Sequence, residues 1–218
     1  MNKLFYKTIN IHTTFELPKI KWSRFIGDIF HVENKDDVEQ FLQQIKDKYP
    51  DATHHCYAYK YDVKHALDIF GNTVFSTKEN KANDDGEPTG TAGKPILNTI
   101  EKNQIFNVLI VVTRYFGGTM LGAGGLVQAY GNCAKKTLEN TKTQEAEILT
   151  TIQFTYNFDF MPAIRNLLNK YHTKIIEEKY DKDVYMKISL NSWYLTGFKK
   201  DIFDISKGTV SVITNTVK

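Results

Sequence analysis

The chain has 218 residues, 41% of them hydrophobic and 24% charged, which allows one large domain or two small ones with buried cores and excludes collagen, coiled coil and long disorder. Its 28 basic and 25 acidic side chains leave a net charge of +3, without a basic tail: 18 against 17 up to residue 145, then 10 against 8. Sequence-blind binding of nucleic acid needs many Lys and Arg contacts to phosphate, so the charge balance argues against a strong sequence-blind binder and leaves a local patch open.

Residues 1–17 alternate apolar and polar side chains and predict a strand that Pro18 ends. Residues 23–32 are rich in β-formers and predict another. Asp36 or Asp37 is placed to cap a helix carrying Val38, Phe41, Leu42 and Ile45, stopped by Pro50. Residues 52–61 predict a strand; 62–83, polar and interrupted by Gly71, Asn80 and Asn83, predict a loop or loose hairpin. Nine of the 13 glycines then crowd between Gly86 and Gly131. Glycine weakens helices and strands alike, so the crowding marks turns or close approach of the backbone to something. Within it, residues 89–95 open a helix over Ile96, Leu97 and Ile100. The apolar run 108–112 predicts a strand buried on both faces. A glycine loop follows over 117–125, then a helix from about 126 to 138. Residues 141–147 turn polar, as a linker does. Beyond them the order strand, helix, strand, strand, helix, strand is that of a ferredoxin-like unit. The expectation is an α+β chain with domains at 1–140 and 146–218.

Three constellations can carry chemistry. Asp84, Asp85 and Glu87 crowd three carboxylates into four positions ahead of Thr89, Gly90, Gly93 and Lys94. Such a cluster can ligate a hard cation, hold one carboxyl protonated, pair with Lys or Arg, or simply cap a turn. A phosphate loop of the GxxxxGK[ST] kind is excluded, because the spacing is GxxxGxxGK and Pro95 follows. The second constellation is a strand ending at Arg114-Tyr115-Phe116, then Gly117, Gly118, Gly122, Gly124 and Gly125 before a helix. A glycine loop at a helix start presents free N–H groups to an anion, and Arg114 can add a bidentate contact. Tight packing, with Arg114 paired to Asp84, Asp85 or Glu87, explains the same residues. The third is His54-His55-Cys56, where His54 and Cys56 share one strand face: a catalytic Cys–His pair, or a buried thiol. Cys56 and Cys133, with no CxxC, suit free thiols in a reducing compartment. No signal-peptide run and no stretch of about 20 apolar residues is present. The expectation is a cytoplasmic protein without membrane partners.

The segments Ser23-Arg24-Phe25-Ile26, DATHHC (51–56), DDGEPTGTAGKP (84–95) and VVTRYFGGTMLGAGGLVQAYG (111–131) resemble the YigZ/IMPACT family in a bacterial form. One position departs: Gln128 stands where the family usually carries Arg or Lys. The resemblance implies an N-terminal two-layer α/β domain similar to the second domain of a small-subunit ribosomal protein. It also implies a C-terminal ferredoxin-like domain similar to one in elongation factor G. The expected role is a non-enzymatic binding protein in translation or its regulation, with no cofactor and no resident metal. It would contact RNA, the ribosome or a phosphate-bearing small molecule through His54, Asp84, Asp85, Glu87, Thr89, Lys94, Arg114, Tyr115, Gly117, Gly118, Gly122, Gly124 and Gly125. The alternatives are a Mg-dependent enzyme acting on a phosphorylated ligand and a protein-binding adaptor.

Overall fold

A computed structural model describes the backbone of residues 4–67 and 73–214 and, within these, the side chains outside 64–76. Gly71 and the end of the last expected strand lie outside the described residues. The chain folds as two compact units, Tyr6–Ala146 and Glu147–Lys218 with Met1–Phe5.

The first unit is built on a five-stranded antiparallel sheet. Its elements are β1 (Phe5–Ile9), β2 (Thr13–Glu16), β3 (Arg24–His31), α1 (Lys35–Lys48), β4 (His54–Leu67), β5 (Thr73–Asn83), α2 (Gly93–Lys102), β6 (Val108–Tyr115), α3 (Gly122–Glu139) and β7 (Thr143–Glu147). The sheet order is β2-β3-β6-β4-β5, with β6 central. Val108, Ile110 and Val112 pack with Ile96, Ile100, Leu126 and Tyr130 of α2 and α3. Leu109 and Val111 pack with Val38 and Ile45 of α1. Helices therefore cover both faces, which is why β6 is an unbroken apolar run. The α+β class stands, and α1 adds a third layer to the implied sheet-and-helix pair.

Three local expectations change, and a fourth resolves to one of its two readings. The cap of α1 is Asn34, whose Oδ1 accepts from Asp37 N at 2.9 Å, while Asp37 Oδ2 accepts from Glu33 N at 2.8 Å. Asp36 and Asp37 instead sit in the first turn, where the helix dipole favours acids. Of the loop and hairpin readings for 62–83 the hairpin holds: residues 62–67 extend β4 and pair antiparallel with β5 (Thr73–Asn83), an edge strand whose described side chains are mostly exposed, so little apolar burial marks it. Helix α3 begins at Gly122, taking Gly122, Gly124 and Gly125 into its first turns. The polar segment 141–147 is no plain linker, because β7 pairs with β1.

The second unit runs β8 (Leu149–Tyr156), α4 (Met161–Lys170), β9 (Lys174–Tyr180), β10 (Val184–Asn191), α5 (Leu195–Ser206) and β11 (Ile213–Thr214). Its antiparallel order β11-β8-β10-β9 is the ferredoxin-like arrangement. Ile152, Phe154, Met186 and Ile188 on one sheet face bury Ile164, Leu168, Phe198 and Ile202 of the two helices. Among the described residues, no helix is long and apolar enough to cross a membrane.

Helix α3 lies against β3 at a bare position. A Cβ on Gly27 would stand 2.0 Å from Thr137 Oγ1 and 3.2 Å from Cys133 Sγ. Gly27→Val is expected to destabilise the unit by about 1–3 kcal/mol through overpacking. Chemical denaturation checks this; Gly27→Ala should cost less, because the Thr137 hydroxyl can rotate away.

Candidate functional site

The acidic turn is fastened to two elements. Asp84 Oδ1 accepts from Ala92 N and Gly93 N at 2.9 and 2.8 Å, and its Oδ2 accepts from Gly90 N at 2.8 Å. Asp84 is thus the anionic clamp on the start of α2. Burial opposes its ionisation, but the three amides outweigh burial and hold the carboxyl below its ordinary value. Asp85 sits at φ +42, in the left-handed region, and three bonds fix it there. Its N donates to Asn83 Oδ1, its Oδ2 accepts from His55 N, and its carbonyl accepts from His54 Nδ1, each at 2.7 Å. A carbonyl only accepts, so His54 carries its proton on Nδ1. Its Nε2 lies 3.8 Å from Glu87 Oε1.

Glu87 belongs to a different structure. It is 8% exposed, and its Oε1 receives Arg114 Nη1 at 2.5 Å and Tyr130 Oη at 2.7 Å. Arg114, 4% exposed, also reaches Ser23 Oγ at 3.4 Å. Its guanidinium lies over the rings of Phe25, 5.5 Å away, and Phe116, 5.3 Å away. The buried Arg114 Nε has no hydrogen-bond partner among the described residues. Strand β6 delivers Arg114, α3 delivers Tyr130 and the acidic turn delivers Glu87, so one buried ion pair joins three elements. Burial, with Cys56 and Glu87 nearby, raises the Tyr130 hydroxyl's pKa far above its ordinary value and keeps it a donor. Cys56 Sγ donates to Asp84 O at 2.9 Å, and burial pushes its thiol up to about 12. Cys56 is 0% exposed and does not face solvent. It fills the core, the second of the two readings of its sequence.

Above the pair lies a hollow of about 330 Å³, bordered by His54, Glu87, Arg114 and Phe116, and by Met120, Leu121, Gly122, Ala123 and Leu126 at the start of α3. Asn34 caps α1 and Asp84 clamps α2, whereas α3 has neither a side-chain cap nor an acid in its first turn. Its leading N–H groups are left without intrahelical partners. Gly122 turns into the helix at φ +71. Gly124 needs no special φ and has nothing within 4 Å of a hypothetical Cβ. A helical glycine costs about 1 kcal/mol against alanine, and neither packing nor backbone conformation accounts for it here.

The predicted residues therefore separate. His54, Glu87, Arg114 and Gly122 border the hollow, with Gly124 and Gly125 in the helix start beside it. Asp84 and Asp85 are spent on the turn. With Glu87 engaged elsewhere, the three acids do not converge on a cation; among the described residues no cluster of three or more His, Cys, Asp and Glu suits a metal. Tyr115 bonds Asp51 Oδ1 at 3.2 Å on the opposite sheet face, under the Arg24 guanidinium. Thr89 and Lys94 are exposed and do not line the hollow. Gly117 is a packing glycine: its N donates to Ser23 Oγ at 3.1 Å, and a Cβ would stand 2.1 Å from the Trp22 carbonyl carbon. Gly118 turns the loop at φ +82. Sequence reasoning passed over Tyr130, Ser23, Phe116 and Leu121. Tyr130 had a signal: it falls on the apolar face of α3 with Leu126 and Cys133, where a buried hydroxyl requires an acceptor.

Fold and site define a two-unit α+β protein whose N-terminal unit closes a buried Arg–Glu pair beneath a glycine-led helix. A family model described as the Impact N-terminal domain matches residues 21–138. IMPACT family member YigZ of Escherichia coli (strain K12) is 33% identical over 195 residues, covering 89% of this chain and 91% of that protein. IMPACT family member YvyE of Bacillus subtilis (strain 168) is 31% identical over 189 residues, covering 87% and 82%. A solved structure described as a crystal structure of an hypothetical protein aligns over 100% of both chains with a TM-score of 0.68 at 29% identity. The chain belongs to the IMPACT family.

Two stability outcomes follow from the site. Removing Glu87 strands a buried guanidinium, so Glu87→Ala should cost about 3–5 kcal/mol in denaturant unfolding. The double change Glu87→Leu with Arg114→Met should recover much of that loss. Asp84→Ala should cost about 1–2 kcal/mol near neutral pH by releasing the α2 amides. Because the folded carboxyl titrates below its ordinary value, its contribution is present above about pH 4 and fades as pH falls further. The gap between wild type and Asp84→Ala should therefore close on acidification.

Proposed function

We propose that this is a non-enzymatic binding protein in which the start of α3, above the Arg114–Glu87 pair, takes an anionic group of the phosphate kind. The observation that carries the reading is the α3 terminus: uncapped, free of acids and bare at Gly124, it opens on a hollow that a buried arginine also borders. Free N–H groups at the positive end of a helix dipole bind phosphate without further help. Arg114 acts differently from the expectation. Glu87 balances its charge, so it supports the site from beneath instead of gripping phosphate as a free cation. Lys94 and Thr89 contribute nothing at the hollow, and recognition rests on the α3 amides.

Membership of the IMPACT family, with the family's resemblance to a ribosomal protein domain and an elongation factor domain, supports a cytoplasmic role in translation or its regulation. RNA, alone or in the ribosome, is the phosphate-bearing partner of that reading. Fold analogy is a weak warrant alone, so the weight falls on the site.

Gly124→Glu tests it. A carboxylate there occupies the α3 amides, and its helix propensity exceeds that of glycine. Thermal stability should hold or rise, while affinity for a short single-stranded RNA and for inorganic phosphate falls at least tenfold. The salt dependence of RNA binding should flatten by a slope of about one. Unchanged binding in the folded variant would overturn the reading.

A further inference from the structure

An anion alone does not account for this hollow. Beside the α3 amides the walls are apolar, and two side chains stand open to solvent: Phe116 is 47% exposed and Met120 84%. A site for a bare oxyanion has no use for such walls. Large exposed apolar side chains beside a polar anchor mark a surface that meets an apolar body.

The Phe116 ring is more than an exposed hydrophobe. The Arg114 guanidinium backs it at 5.3 Å, and Glu87 and Ser23 hold that guanidinium in place. Phe116 N is tied to Thr53 Oγ1 at 3.0 Å, and the next residue, Gly117, is pressed on the Trp22 backbone. The ring is therefore a flat apolar surface on an anchored stretch of backbone, with the guanidinium against it and about half of it open. Planar π systems are what such a platform stacks, and stacking on it tolerates any base.

We propose that the hollow binds one nucleotide unit, with its base stacked on Phe116 beside Met120 and Leu121 and its phosphate on the α3 amides that open at Gly122 and Ala123. This rests on the anion reading above and adds the second half of the ligand. The size fits: about 330 Å³ lies at the small end of ligand pockets, which suits one nucleotide and excludes a duplex. The flat ring of Phe116 favours a planar base, so a nucleotide is preferred to the C-terminus of a hydrophobic peptide. The same chemistry has two sources: a free mononucleotide, or an unstacked nucleotide at the end or in a loop of an RNA strand.

Calorimetry on the full chain with inorganic phosphate, adenosine, AMP, a single-stranded RNA hexamer and the same hexamer in duplex tests this. AMP should displace phosphate and bind at least tenfold more tightly than phosphate or adenosine alone. Phe116→Ala, at a half-exposed position, should weaken AMP about tenfold and leave phosphate unchanged, while Phe116→Trp restores AMP. The hexamer should bind more tightly than its duplex. Tighter binding of hexamer than of AMP assigns the strand as source, and the reverse assigns the free nucleotide. If phosphate binds but AMP is no tighter, or if Phe116→Ala leaves the ratio of the two unchanged, the nucleotide inference falls and the anion reading stands. If neither phosphate, AMP nor RNA binds, both fall. Tighter binding of a C-terminal hydrophobic peptide than of AMP overturns the inference in favour of a carboxylate ligand.

Discussion

The N-terminal unit is organised around a charge pair that water scarcely reaches. A buried guanidinium and carboxylate give up much hydration, and the loss is tolerable only when geometry and extra hydrogen bonds are good. Arg114 and Glu87 meet at 2.5 Å, with Tyr130 and Ser23 adding further bonds. Such a pair is poor evidence of stability in itself. Its effect is positional, because it makes the end of β6, the acidic turn and the middle of α3 agree on one arrangement. The turn is independently locked to β4 through Asp85 and to α2 through Asp84. Two motifs about 30 residues apart in the chain, the acids and the glycines, therefore share one hollow without sharing one task.

That division of labour separates support from contact. The acids organise the backbone, the arginine backs an aromatic ring, and the helix start is left open. The charges alone leave Arg114 open to a ligand or to one of the acids, and the acids open to a cation, a basic partner or a turn. The geometry pairs arginine with one acid and spends the other two on amides. The helix start at the mouth carries no side-chain cap and no acid, and its free N–H groups are a feature that no side-chain charge count reveals.

What could be read directly from the chain was whatever is local. The run 108–112 announces a strand covered twice, because every residue must avoid water on both faces. Val38, Phe41, Leu42 and Ile45 announce α1 through helical spacing, and the alternation beyond 148 announces the ferredoxin-like order. What depends on distant partners was hidden. Polar β7 is a strand only because β1, more than 130 residues earlier, pairs with it. The edge strand β5 buries too little to leave an apolar pattern. The start of α3 was misplaced because glycine has poor helix propensity, and packing of Tyr130, Cys133 and Leu126 overrides it. At the site, the acidic and glycine motifs were visible as chemistry. The choice of Glu87 for Arg114, and the parts played by Tyr130, Ser23 and Phe116, required three elements to be brought together first.

Gly27 has an effect well away from its own neighbours. Its missing side chain lets the far turns of α3, at Cys133 and Thr137, seat directly on the sheet. A stiff helix seated at one end has its other end aimed, and that other end is the rim of the hollow. The seat of the helix that carries this rim thus depends on a missing side chain several helical turns distant. A side chain at this remote strand position would shift the helix and its rim together, with every residue that borders the hollow left unchanged.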